Sequence, residues 1–219
     1  MPVITIRGLY GCWADEIGER IAQKLNIDYV DRKIIAEVAE RLRQPSKNVE
    51  EKEMPPSTLW GRIAEAIAKA PYMGDSIYTG LYAPLWEIPL DDKNYLAALE
   101  SVVKELAATR SIVILGRGSQ FILKDVPGAF HALIVAPVNV RVKRVRERQN
   151  LKEKDALNEI ARSDDAAREF IKRYFQANLT DPVNYDMVLN VNHLDSEAAA
   201  ALIVDALPRL NAGTAGGKP

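Results

Sequence analysis

Short apolar runs alternate with stretches of helical apolar spacing along most of the chain. Val3–Ile6 (VITI) reads as a buried strand. A turn carrying Gly8 and Gly11 follows. Ile17, Ile21 and Leu25 then share one face of a helix over 15–25, with Asp15 placed to cap it. Ile27–Val30 reads as a second short strand, and Asp31 is placed to cap a helix reaching about Leu42. Residues 44–56 are polar and end in Pro-Pro, which predicts a loop; a helix over 59–70 and an irregular Gly-, Pro- and aromatic-rich stretch over 71–89 follow. Leu96, Leu99, Val102, Val103 and Leu106 stripe a helix over 95–109. Further strands fall at 111–115, 130–136 and 185–191, and further helices at 138–149, 153–175 and 196–210; the tail 211–219 is expected to be disordered. Such alternation predicts an α/β fold, a parallel sheet wrapped by helices. In these sheets ligands bind beyond the carboxyl ends of the strands, which directs attention to the turns after Ile6, Val30, Leu115 and Ala136.

Composition narrows the class without naming a function. The 219 residues are 47% hydrophobic and 27% charged, which excludes disordered and fibrous proteins. Basic and acidic residues nearly balance, 29 against 30, so a general nucleic-acid binder is disfavoured. One cysteine, Cys12, excludes an intramolecular disulfide framework; His131 and His193 lie far apart without partner cysteines, so no metal site is expected. No apolar run approaches the roughly 20 residues of a membrane span, and no signal-peptide pattern opens the chain. The reading is a cytoplasmic globular protein with no membrane or nucleic-acid partner.

The balance conceals a split. Residues 141–173 hold 11 basic and 7 acidic side chains, a net of +4 that leaves -5 elsewhere. Arg141, Arg144 and Arg148 would share a helical face, an arrangement that is destabilising unless an anion neutralises it. Either they form a phosphate clamp, or they belong to a solvated, salt-bridged helical hairpin with Arg162, Asp164, Asp165 and Arg168. Arg117, between Gly116 and Gly118 at a strand end, suits phosphate or a base edge with its planar fork, or pairs with a surface carboxylate. The first turn has the layout of an anion cradle, yet against G-x-x-x-x-G-K-[ST] from Gly8 its last three positions are Trp13, Ala14 and Asp15. An ordinary strand-to-helix turn is the competing reading. Trp60, Tyr72, Tyr78, Tyr82 and Trp86 would either stack on a base or, the favoured reading, build a small satellite core.

Taken in order, several segments resemble the cytidylate kinase-like family of P-loop nucleoside monophosphate kinases. These are VITIRGLYGCWADEIGERIAQKLNIDYVDRKII, IVILGRGSQFIL, VPGAFHALIVAPVNVRVKRVRERQ, IARSDDAAREFIKRYF and DPVNYDMVLNV, covering about residues 2–208. The resemblance implies a three-layer α/β/α fold with a five-stranded parallel sheet, forming a single domain over 1–210. A helical acceptor-side insertion would span 44–95 and lid helices 138–175. It implies transfer of a phosphoryl group from ATP, with Mg²⁺, to a (d)CMP-like nucleotide. Arg7, Gly8, Gly11 and Ala14 would belong to the ATP-phosphate loop; Asp31 and Arg117 would face the acceptor. Arg141, Arg144 and Arg168 would neutralise phosphates alongside Arg117, and Asp165 would orient Arg168. One departure stands out: where family members show Ser-Arg-x-x-Gly-Ser-Gly-Gly, this chain has Arg7-Gly8-Leu9-Tyr10-Gly11-Cys12-Trp13-Ala14. A catalytically impaired nucleotide-binding or regulatory member, or a kinase for another small acceptor, is the alternative.

Overall fold

Alternate residues of the central strand β1 (Val3–Gly8) enter different cores: Val3 packs on one side of the sheet, Ile4 and Ile6 on the other. That is the period-2 geometry of a strand covered on both faces. The computed structural model describes residues 2–31, 59–69 and 93–214. β1 pairs in parallel with β3 (Ile112–Leu115) and with β4 (Ala129–Val135). β2 (Asp28–Val30) flanks β3 and β5 (Met187–Asn190) flanks β4, giving the order β2-β3-β1-β4-β5 with every pair parallel.

One face carries α1 (Ala14–Leu25) and α7 (Ser196–Thr214), which pack on each other and bury Ile17, Ile21, Ala199, Ala200 and Ile203 against Ile4, Ile6, Val113 and Ile134. The other face carries α2 (Leu59–Lys69), α3 (Lys93–Thr109), the short α4 (Ser119–Ile122) and the C-terminal part of α6 (Glu153–Phe175). Leu99, Val102, Val103 and Leu106 are buried there, the stripe that the apolar spacing predicts. The result is the three-layer α/β/α fold with a five-stranded parallel sheet. α5 (Val138–Gln149) and α6 form a hairpin with its own small core of Val142, Val145, Ala156 and Ile160, onto which Tyr10 of the first turn packs. Among the described residues, no helix is long and apolar enough to cross a membrane.

Several boundaries differ from expectation. α1 starts at Ala14, with Trp13 in the capping position and no side-chain cap, so Asp15 lies inside the first turn rather than capping the helix. The last strand is shorter than predicted, Met187–Asn190 against 185–191, and a 3₁₀ turn over Pro182–Asn184, capped by Asp181, leads into it. α7 continues four residues past Leu210 to Thr214, since its inner Pro208 is tolerated and no further proline follows until 219. Residues 215–219 lie outside the described residues, as do the helix expected after Asp31, the 44–56 loop, the 71–89 stretch and its tyrosines.

Candidate functional site

Three of the four strand ends that the sequence singles out, those after Ile6, Val30 and Leu115, converge on one cavity of about 410 Å³, whereas the turn after Ala136 does not line this cavity. It lies beyond β1 and β3, where Gly8, Gly11, Cys12, Trp13, Ala14 and Asp15 meet Gly116 and Arg117, with Asp31 nearby. Arg144, Arg148, Gln149 and Ser163 close it from the α5–α6 hairpin. Four arginines (Arg7, Arg117, Arg144 and Arg148) face two aspartates (Asp15 and Asp31) around it, a lining charge of +2 suited to an anionic ligand.

Two turns shape the cavity. Gly116, Arg117 and Gly118 all take positive φ, at 76°, 58° and 69°. Only glycine enters that region freely, so the two glycines make the turn and leave Arg117 to absorb one strained step. A Cβ at Gly118 would stand 2.4 Å from the Phe175 ring, so the turn also needs glycine for space. Its arginine is 5% exposed and lines the cavity. In the first turn, Gly11 has φ 84°, and a Cβ there would meet the Arg141 carbonyl oxygen and Val145 at 3.0 Å. The hairpin therefore rests directly on the first turn.

That docking is polar as well as apolar. Asp164, 3% exposed, accepts a hydrogen bond from the Tyr10 backbone N–H (3.0 Å) and one from Arg141 Nη1 (2.6 Å). Arg141 also donates to the Tyr10 carbonyl oxygen (3.1 Å), and Gln149 bonds the Tyr10 hydroxyl. Arg148 pairs with Asp15 at 2.6 Å. Arg144 lies over the Trp13 ring, 3.5 Å from its centroid, and donates through Nη2 to the Val191 carbonyl oxygen (2.8 Å). Trp13 sits at φ 60°, a conformation costing about 1–2 kcal/mol in a bulky residue. A stacked guanidinium in a desolvated setting returns a comparable amount. The basic face thus carries its own counter-charges: Asp164 for Arg141, Asp15 for Arg148 and an aromatic face for Arg144.

Of the residues singled out from sequence, Arg7, Gly8, Gly11, Ala14, Asp31, Arg117 and Arg144 line the cavity. Arg141, Arg168 and Asp165 do not. Arg141 is committed to Asp164 and Tyr10. Arg168 lies half exposed against Asp165 at 2.7 Å, the pairing expected, but away from the cavity. Arg148, which the sequence groups with Arg141 and Arg144 as a possible phosphate clamp, also lines the cavity; sequence reasoning passed over Tyr10, Ser163 and Asp164 as site residues. For Asp164 a signal existed: Ala156, Ile160, Asp164, Ala167 and Ile171 form one buried stripe of α6, and Asp164 is its polar member.

Burial sets the electrostatics. Desolvation holds the Arg7 guanidinium below its usual range, and neighbouring Arg117 adds to the effect. Its Nε finds no hydrogen-bond partner among the described residues. Burial pushes the Cys12 thiol up to about 11, so Cys12 stays a neutral thiol inside the turn. Among the described residues, no cluster of three or more His, Cys, Asp or Glu side chains forms a metal cage.

A parallel sheet in this order, with the first strand feeding a turn and helix and a basic hairpin over that turn, defines a P-loop kinase fold. Solved sugar kinases share it. The cytidylate kinase-like family model matches residues 3–193, and the chain belongs to that family. An uncharacterized protein from Eubacterium ventriosum shares the fold with a TM-score of 0.65 at 20% identity, over 95% of this chain and 99% of its own. A cytidylate kinase from Sulfolobus acidocaldarius is 32% identical over 76 residues, 35% of this chain and 42% of the relative. A uronate isomerase from Corynebacterium glutamicum is 33% identical over 97 residues, 44% of this chain and 19% of the relative. The matches span less than half the length of these curated relatives.

Proposed function

We propose that the protein is a phosphotransferase that moves the γ-phosphoryl group of ATP to a (d)CMP-like nucleoside monophosphate in this cavity. The observation that carries the reading is the convergence of Arg7, Arg117, Arg144 and Arg148 on one cavity at the carboxyl edge of the sheet. Phosphoryl transfer needs positioning and charge neutralisation rather than a covalent protein intermediate, and guanidinium groups supply both. Bound ATP with Mg²⁺ would supply the phosphoryl group and the metal's neutralisation of its charge. The residues present fit an anionic nucleotide: Arg144 Nη1 lacks a hydrogen-bond partner among the described residues although Arg144 is buried. Arg144 would hold a donor phosphate near the start of α1. Arg117 and Asp31, across the cavity, would orient the acceptor, and the docked hairpin would exclude water.

A second reading has its own support. Trp13, Ala14 and Asp15 stand where the phosphate-loop pattern has Gly, Lys and Ser or Thr, which favours a member that binds nucleotide without transferring phosphate. Calorimetric titration with MgATP and then with CMP, followed by turnover on a panel of monophosphates and small alcohols, separates the two. Binding of both with turnover of a monophosphate supports the kinase. Binding without turnover of any acceptor supports the second reading, and heat with neither nucleotide overturns both.

A further inference from the structure

The start of α1 carries its own anion. Helix N-termini favour negative charge, and in a phosphate-binding turn that place belongs to the ligand. Here Asp15 occupies the first turn, no side chain caps the helix, and the Asp15 carboxylate lies 2.6 Å from Arg148 Nη1. Both side chains line the cavity and remain partly exposed, at 32% and 55%. A second, independent feature points to an anionic ligand. Arg144, 8% exposed, lines the same cavity, and its Nη1 has no hydrogen-bond partner among the described residues. Buried guanidinium groups normally spend their donors. Among the described residues, the cavity therefore holds cations with unspent donors, Arg144 Nη1 and Arg7 Nε, and another, Arg148, neutralised by the protein's own carboxylate.

We propose that Asp15 is a built-in competitor for a polyphosphate chain, and that Arg148 binds the phosphates by exchanging Asp15 for them. Arg148 is then a donor-binding residue, and Asp15 sets how tightly the polyphosphate is held. The proposal rests on the reading that this cavity takes a nucleotide, and it deepens it.

The two halves of the pair have opposite expected effects. Asp15→Asn keeps the shape, removes the competing charge and frees Arg148. Arg148→Gln removes the incoming cation. A pair that only fastened α5 to α1 would give the same sign for both substitutions. The test is calorimetric titration of the full chain with inorganic tripolyphosphate and with MgATP at fixed ionic strength, each variant first checked by circular dichroism. We expect D15N to bind tripolyphosphate about five- to tenfold more tightly than the parent and R148Q about tenfold more weakly. The double variant should bind no more tightly than R148Q, because the gain in D15N acts through Arg148. D15N binding that is unchanged or weaker, or no tripolyphosphate binding by any variant, overturns the proposal. Turnover is read separately: tighter binding in D15N without phosphorylation of any acceptor keeps the competitor and removes the kinase. Turnover with unchanged D15N affinity does the reverse.

Discussion

Replacing Asp164 by alanine removes the carboxylate that joins the first turn to the hairpin. The side chain is 4% exposed and its partner Arg141 is 8% exposed, so water cannot take over either group. Among the described residues, the substitution leaves the Arg141 guanidinium with the Tyr10 carbonyl oxygen as its remaining acceptor, and its Nε already lacks a partner. It also orphans the Tyr10 N–H. Removing one partner of a buried ion pair costs about 3–5 kcal/mol. In a chain of this size each kcal/mol moves Tm by about 2–4 °C, so Asp164→Ala should melt roughly 6–20 °C lower. Asp164→Asn, which can still accept from Tyr10, should lose about half as much. The double variant Asp164→Leu/Arg141→Met should recover part of the loss, since a buried pair exchanged for apolar groups is often near neutral. Urea unfolding followed by circular dichroism, with thermal melts, measures all three. A fall under about 2 °C for Asp164→Ala, or strict additivity in the double variant, would refute the interlock.

Three further outcomes follow from the same geometry. Cys12, fully buried with its thiol raised to about 11, should react with a thiol reagent near pH 8 at least ~100-fold more slowly in the native protein than in denaturing urea; a native rate within about tenfold of the denatured one would place the turn open. His131 is buried beside Thr5, with Nδ1 2.8 Å from the hydroxyl, and burial lowers its pKa while Asp186 partly opposes the shift. Its contribution is therefore full above the ordinary histidine value of 6.5 and declines as pH falls from there toward the depressed folded value. His131→Gln should show a flatter loss of stability between about pH 7 and 5 in urea unfolding, and an unchanged slope would contradict this. Gly118→Ala should cost roughly 2–4 kcal/mol, from φ 69° and the Phe175 contact, and an unchanged Tm would show that the turn adapts.

Much of the scaffold was legible because both periods are strong. The two hairpin helices have the bounds expected from the sequence, 138–149 and 153–175, and their buried positions Val142, Val145, Ala156, Ile160 and Ala167 keep helical spacing. Gly116-Arg117-Gly118 at a strand end and Arg144 on the basic helix both reach the cavity. What sequence spacing could not supply was the pairing across elements. Arg141, Arg144 and Arg148 do face the first turn together, but each meets a different neighbour, and Arg141 turns away from the cavity to Asp164. Asp164 and Asp165 are chemically identical neighbours; a one-residue step around the helix buries the first and leaves the second 76% exposed. The first turn's departure from the phosphate-loop pattern is legible in the sequence; the pairing of its Asp15 with Arg148 of the hairpin is not.

The central claim is phosphoryl transfer in this cavity, and label transfer from [γ-³²P]ATP tests it most directly. With Mg²⁺ and CMP or dCMP, the full chain should produce labelled diphosphate. Arg117→Gln, which removes a cavity guanidinium, should lower the rate at least about tenfold at near-parent Tm. No label on any monophosphate, or parent-level transfer by the Arg117 variant, would contradict the account.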